Sequence, residues 1–289
     1  MDWLFNSLEE WIKGGLIDVL LTIYQELFTS VNDQVGGIAL EVGRSPLDWN
    51  PDVFNMIRNL SITVVNPIAG LILTFVLTYE LINMVINKNN MHHNDTFEIF
   101  KWVFKAFCAV YILTHSFDII IGIFGLAQTV VQQSAGLVTG SLALNHDLDV
   151  DALRATLEAS SIWGLLFLVL EMNIVKLAIM AMSIVIFIII YGRMIEIYCV
   201  VSVAPIPLST MSNHEWGQIG ANYLKALFAL AFQAFLIMVC IVIYAVLINT
   251  IPTADNLHIA VWSRVGYTAL LCRALFSTGS LAKSLFGAR

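Results

Sequence analysis

Two charged residues in the most apolar part of the chain are the first candidates for a chemical role. Arg193 and Glu196 are separated by one helical turn in a segment with few other charges. Residues at this spacing share one face of a helix, so the sequence predicts that they form an ion pair inside a membrane helix. Because buried charges usually need partners, we interpret the pair as one that fixes helix packing. Direct contact with a transported substrate is the alternative.

A helix break follows this pair. Pro205 and Pro207 have no amide hydrogen and cannot donate within a helix, and a proline disfavours helical geometry in the residue before it. We therefore expect Ala204 and Ile206 to be extended. The preceding helix should end here, and a loop over residues 208–211 should follow.

A new helix start is predicted directly after that loop. Ser212 and Glu215 have the spacing of a capping box, in which each side chain bonds to the backbone amide of the other residue. An apolar run containing Asn222 and Gln233 continues from there. The sequence thus predicts a helical hairpin whose two arms are joined by a proline-broken turn.

Other reactive residue types lack supporting neighbours. His92 and His93 are adjacent in a polar loop but have no further ligand near them in sequence, and the run that begins at His214 is HEWGQ rather than the zinc-binding HExxH. The four cysteines lie in apolar segments without CxxC spacing. We expect no disulfide, no metal site, no cofactor and no enzymatic activity. An intramembrane enzyme that uses His214 and Glu215 is the weakest of the functional hypotheses.

The composition indicates that the chain folds in a lipid bilayer. Hydrophobic residues make up 58% of the sequence, charged residues 12%, and the mean hydropathy is +0.81. These values lie outside the range of ordinary soluble domains and indicate a polytopic membrane protein. The net charge of -7 and the lack of a basic patch argue against autonomous binding to nucleic acid.

The expected fold is all-α, with about five transmembrane helices and an N-terminal amphipathic helix. We divide the chain into an extracytoplasmic helix and loop (residues 1–61) and a helical membrane domain (residues 62–289). In the first part, helical periodicity favours a helix on the bilayer surface or packed on other spans, followed by a loop at 32–52. A true span there would submerge Lys13, Asp18 and Glu26. The predicted spans are about 62–87, 106–126, 177–203, 222–248 and 259–276.

The distribution of charge predicts the orientation. Segments 1–61, 127–160 and 249–258 together hold four basic residues and fourteen acids, whereas segments 88–105, 204–225 and 274–289 hold six basic residues and three acids. The positive-inside rule then places the N-terminus outside the membrane and the C-terminus in the cytoplasm. The proline break consequently lies on the cytoplasmic side.

Several stretches together resemble a known family. These are the run from Arg193 to Glu196, Ala-Pro-Ile-Pro-Leu at the break, the apolar run from Asn222 to Gln233, and the tail over residues 278–286. They resemble the TrbL/VirB-type polytopic membrane subunit of bacterial type IV secretion and conjugation machines. The likeness is closest to versions from conjugative elements of Gram-positive bacteria, and it is strongest over about 190–287.

The resemblance carries expectations about assembly. It implies a protein of the bacterial cytoplasmic (inner) membrane that forms a homo-oligomeric ring, contacts other membrane subunits and the ATPases of the machine, and helps to pass a DNA–protein substrate. The expected motif residues are Arg193, Glu196, Pro205, Pro207, Ser212, Glu215, Asn222 and Gln233. The leading hypothesis is therefore a channel or scaffold subunit. The alternative is a small-solute or ion transporter in which the helix broken at 204–207 and the acids Glu80, Asp118 and Glu171 form the binding site.

Overall fold

The computed structural model describes residues 2–87, 95–139, 150–251 and 257–288, and the regular structure within them is entirely helical. This confirms the all-α prediction. The helices are α1 (Asp2–Val42), α2 (Pro46–Trp49), α3 (Pro51–Leu60), α4 (Asn66–Asn87), α5 (Asp95–Thr114), α6 (Ser116–Thr139), α7 (Val150–Glu158), α8 (Ile162–Ser202), α9 (Pro205–Thr210), α10 (Gly217–Asn249) and α11 (Leu257–Leu285). A π-helical turn, Ser61–Val65, joins α3 to α4.

The long apolar helices account for the predicted spans. Within the described residues, the segments Pro51–Ile86, Ile162–Ser202, Gly217–Asn249 and Leu257–Leu285 are each long and apolar enough to cross a bilayer. The segments Phe97–Thr114 and Ser116–Ser134 qualify only as a pair, which is bent by 69°. Four or five crossings agree with the prediction of a polytopic helical protein. The membrane limits of each span and the division at residue 61 stay predictions.

The bend between α5 and α6 corrects the second predicted span. We predicted one span over about 106–126, but the helix breaks at His115. The Tyr111 carbonyl accepts the His115 amide at 3.1 Å, and the Thr114 hydroxyl and the His115 ring also lie within 3.1 Å of it. Side chains that compete for a backbone acceptor in this way disturb the helical ladder and bend the helix.

The predicted loop at 32–52 is wrong over most of its length. Helix α1 continues through Gly36 and Gly37 to Val42. A glycine costs about 1 kcal/mol relative to alanine inside a helix. Here Ile38 and Val42 are buried, and packing of this kind supplies most of the stability of helices in proteins. The chain leaves helical structure only briefly before Pro46 starts α2.

The chain divides into two compact units, which are described separately. Unit 1 comprises Met1–Val42, Ser134–Ile190 and Ile237–Ser277. Its core is formed by α1, α7 and the parts of α8 and α11 that belong to the unit, and its largest fully buried side chains include Leu20, Tyr24, Leu165, Met172 and Ile179.

Three charged side chains of α1 have partners within unit 1. Asp18 accepts from Arg154 at 2.6 Å, Glu26 accepts from Lys176 at 2.5 Å, and the Lys13 ammonium donates to the Glu158 carbonyl at 2.7 Å. The helix therefore packs on other helices of its unit, which is one of the two arrangements that its periodicity predicted.

Unit 2 comprises Gly43–Gln133, Tyr191–Leu236 and Thr278–Arg289. Its main core brings together side chains of α3, α6, the end of α8, α9 and the start of α10: Phe54, Phe117, Ile120, Met194, Ile197, Val201, Ala204, Leu208, Leu227 and Leu230. The Tyr198 hydroxyl donates to the Pro46 carbonyl at 2.5 Å, and the Trp49 ring lies 5.7 Å from the Tyr198 ring. These contacts hold α2 against the segment that carries the candidate site.

Candidate functional site

The proline break separates α8 from a further short helix. Helix α8 ends at Ser202, and Pro205 is the first residue of α9. The expectation that Ala204 and Ile206 are extended was wrong, because Ala204 has helical φ and ψ of -49° and -40° and Ile206 lies within α9. The first four amides of a helix have no intrahelical acceptor, so Pro205 and Pro207 cost no hydrogen bond in its first turn.

The backbone on either side of the break is also satisfied. Pro205 and Pro207 cannot donate to the carbonyls of Val201 and Val203, which lie four residues before them. Instead, the Ala204 amide donates to the Val201 carbonyl at 3.3 Å, and the Ile206 amide donates to the Val203 carbonyl at 3.1 Å. Two tight turns thus replace the missing α-helical bonds. We call the segment from the end of α8 through α9 to the start of α10 the corner.

The cap after the break is one residue later than predicted. The Asn213 side-chain oxygen accepts from the amides of Glu215 and Trp216 at 2.7 and 3.3 Å, and α10 begins at Gly217. The Ser212–Glu215 capping box is therefore wrong. The Ser212 hydroxyl is buried and has no hydrogen-bond partner among the described residues. Asparagine is as good a capping residue as serine, so the sequence contained the signal for both alternatives.

A close approach of backbone holds the corner together. A Cβ placed on Gly220 in α10 would lie 2.6 Å from the Pro207 carbonyl oxygen and 2.1 Å from Cγ of Met211. No side chain fits at 2.6 Å from a backbone oxygen. Glycine at this position therefore allows α10 to pack directly on α9, a role that the sequence analysis missed.

The two charged motif residues do not form the predicted ion pair. Arg193 is 7% exposed, and its Nε has no hydrogen-bond partner among the described residues. Glu196 is about half exposed and lies 3.6 Å from the ammonium of Lys283 in α11. The i, i+3 spacing placed both residues on α8 correctly, but it could not identify the partner that α11 supplies.

The last two motif residues differ in their surroundings. Gln233 in α10 is buried, and its amide donates to the Thr278 hydroxyl at 3.3 Å, close to Gly279 in α11. Asn222 is exposed. Gln233 therefore joins α10 to the C-terminal segment of unit 2, whereas Asn222 is available to solvent, lipid or a partner.

An aromatic stack beside the turn was not predicted. The Trp216 ring stacks on the rings of Phe75 and Tyr79 in α4, with centroid separations of 5.6 and 5.5 Å. The Tyr79 hydroxyl lies 3.4 Å from a carboxylate oxygen of Glu215. Phe75 and Tyr79 are one helical turn apart, so the sequence predicts that they lie on the same side of α4. It does not predict that Trp216 packs there.

The three acids of the transporter hypothesis all have partners. Glu80 pairs with Lys105, and Asp118 accepts from Arg58 at 3.3 Å. In unit 1, Glu171 is buried; it accepts from the Trp262 indole at 2.7 Å and bonds to the His258 ring. No group of three or more His, Cys, Asp and Glu side chains in the described ranges is placed to hold a metal ion. His92 and His93 lie outside the described residues.

The fold and this site define a class of protein, namely a polytopic helical membrane protein with a helix broken by prolines beside a buried arginine. The chain belongs to the family described as TrbL/VirB6 plasmid conjugal transfer like protein, which it matches over residues 31–205. The family implies a component of a conjugal transfer machine. No curated protein and no solved structure gave a significant match.

The matched segment corrects where the family likeness lies. It includes Arg193, Glu196 and Pro205 and ends before Pro207. The runs 222–233 and 278–286, on which the sequence analysis also based the likeness, fall outside it. The family signal thus comes from the end of α1, from α2 to α8 and from the first residue of α9.

Proposed function

We propose that the chain is a channel or scaffold subunit of a type IV secretion apparatus, in which it assembles the inner-membrane complex and helps to pass substrate. The observation that carries this proposal is the family match over residues 31–205, which ends at the broken helix. In this proposal the protein acts as a homo-oligomeric ring. Its N-terminus is outside, its C-terminus is in the cytoplasm, and its role is mechanical rather than catalytic.

The corner formed by α8, α9 and α10 is the proposed mechanical element. Its bonded turns, the Asn213 cap and the close packing at Gly220 support a rigid connection that presents residues 211–216 to partners. We propose that these partners are the ATPases and the other membrane subunits of the machine. Rigidity favours such a role because a preorganised surface loses less entropy on binding.

The transporter alternative gains no support from the acids on which it rests. Glu80, Asp118 and Glu171 are each paired with a basic group or a hydrogen-bond donor. A carboxylate in that state must lose its partner before it can bind a solute cation. The sequence also shows no convincing two-half symmetry of the kind that many transporters have.

The assembly proposal is tested by determining the mass of the complex. The protein is purified in a mild detergent, and a second sample is crosslinked in cells that carry the neighbouring genes. We expect a ring-sized oligomer that captures a secretion ATPase. A clean monomer that captures no ATPase would contradict the proposal.

Orientation is tested separately by cysteine labelling. His214 is exposed, so His214→Cys in a variant without the four native cysteines provides an accessible thiol, which the buried Ser212 would not. We expect a membrane-impermeant maleimide to react only after the cytoplasmic face is opened. Labelling of intact cells would reverse the orientation and leave the assembly proposal to be judged on its own.

A further inference from the structure

Unit 2 contains a polar cavity beside the aromatic stack. It lies between the end of α4 and the turn before α10 and has a volume of about 250 Å³. Its lining consists of Glu80, Asn83, Met84, Asn213, His214 and Glu215. The cavity can hold one long side chain but not a folded element. Three of its lining residues, 213–215, belong to the turn that follows α9, and Arg193 is not among the residues that line it.

The charges around the cavity do not balance. Glu80 pairs with Lys105, whereas the one polar partner of the Glu215 side chain among the described residues is the Tyr79 hydroxyl at 3.4 Å. Two carboxylates and one lysine leave one negative charge when His214 is counted as neutral. A single cation would balance the site, and it would gain a charge-assisted hydrogen bond to the Glu215 carboxylate.

A buried amide adds a second requirement. Asn213 is 6% exposed and lines the cavity, while its oxygen accepts from the amides of Glu215 and Trp216. These two bonds fix which side-chain atom is the oxygen. The NH2 group of Asn213 is consequently a donor, and it has no partner within the described ranges. The site thus offers a donor as well as a carboxylate, and a peptide can accept from that donor through a backbone carbonyl.

We propose that this cavity binds one arginine side chain from a basic segment of a partner protein. A guanidinium has five donors for the carboxylate oxygens of Glu215 and the amide oxygen of Asn83, and the segment's carbonyl accepts from Asn213. The neighbouring Trp216 provides an aromatic surface of the kind on which arginine packs. The inference depends on the chemistry of the cavity and not on the proposed role in secretion.

Trp216 provides a direct reporter. The full chain is labelled with 5-fluorotryptophan and purified in detergent, and the 19F resonance of Trp216 is assigned with Trp216→Phe. The probes are Nα-acetylarginine amide and its uncharged isostere Nα-acetylcitrulline amide at constant ionic strength. We expect a saturable shift with the arginine probe and none with citrulline. Glu215→Gln should weaken binding of the arginine probe at least fivefold.

Matched controls test whether the arginine probe binds in this cavity. Glu98→Gln removes a carboxylate that pairs with Lys101 on the surface of α5, so it should leave the titration unchanged. Equal shifts with arginine and citrulline, or an unchanged affinity in Glu215→Gln, would overturn the proposal. A shift produced by phosphoethanolamine and not by arginine would also overturn it, because the site would then fit a lipid headgroup. None of these readouts requires an assembled secretion machine, so the proposed function is tested independently.

Discussion

Two buried charges in this molecule are treated in opposite ways. In unit 1, Glu171 accepts from the Trp262 indole at 2.7 Å and bonds to the His258 ring, both from α11. In unit 2, Arg193 is buried to a similar degree, but its Nε has no partner, and the nearby Glu196 lies against Lys283. Glu171 is held by hydrogen bonds, whereas Arg193 keeps one nitrogen without a partner among the described residues and interacts with the charge of Glu196 only at longer range.

The difference in hydrogen bonding separates a buried charge that stabilises the fold from one that costs free energy to bury. A buried charge with good hydrogen bonds contributes to a unique packing, whereas a buried charge without them destabilises the fold. Arg193 therefore carries a desolvation cost that its hydrogen bonds do not fully offset. The comparison leads to the following predictions, which run from the largest expected effect to the smallest.

The largest effect should follow the loss of the indole donor at Glu171. Trp262→Phe keeps an aromatic ring but leaves a buried carboxylate with one donor fewer, and a hydrogen bond to a charged group is worth roughly 1.5–3 kcal/mol. We expect destabilisation of that size in denaturant unfolding of the detergent-solubilised protein. Trp163→Phe is the control, since Trp163 is 81% exposed. Equal effects of the two substitutions would show that the hydrogen bond contributes nothing.

The corner at α9 should be nearly as sensitive to a single methyl group. Gly220→Ala places a Cβ 2.6 Å from the Pro207 carbonyl oxygen, and overpacking of this kind costs about 1–3 kcal/mol. Gly192→Ala in α8 meets no atom within 4 Å and should instead stabilise the helix by about 0.5–1 kcal/mol. Thermal unfolding of both variants measures the difference. Similar melting temperatures for the two variants would mean that α10 does not pack tightly on α9.

The contrast between the two charges also shows what the sequence could predict. Apolar runs and helical periodicity predicted the all-helical fold, and the prolines predicted the helix break at Pro205. Both features depend on the chemistry of residues that are close in sequence. The partners of the charges were not predictable: Lys283 meets Glu196 only after α10 and α11 have folded back. The bend at His115 was missed for a related reason, since it depends on which side-chain bonds form at the Tyr111 carbonyl.

The cap shows a finer limit of the same kind. Ser212 and Asn213 are adjacent and both are good capping residues, so local propensity could not choose between them. Contacts of the turn select the capping residue. Trp216 stacks on α4 and Gly220 packs on α9, and in the structure that makes both contacts the cap is Asn213. Sequence reasoning located the site to within a turn of helix but not its hydrogen bonds.

The prediction for Arg193 has the opposite sign. Arg193→Met replaces a buried guanidinium, whose Nε has no partner among the described residues, with an apolar side chain of similar length, and this removes the cost of burying the charge. We expect a purified variant that is at least as stable as the wild type but defective in conjugal transfer. Arg273→Met at an exposed position of α11 should change neither property. A clear loss of stability in Arg193→Met would show that the arginine has an attractive partner within the chain.

The smallest effect should come from the pair that replaced the predicted one. Glu196 and Lys283 are about half exposed and 3.6 Å apart, and exposed ion pairs of this kind contribute roughly 0.2–1 kcal/mol. A double-mutant cycle with Glu196→Gln and Lys283→Met measures the coupling energy, which should fall further in high salt. A coupling above about 2 kcal/mol would place this pair among buried, structural interactions. Glu196 would then resemble Glu171, as a second acid that its partner holds firmly in place.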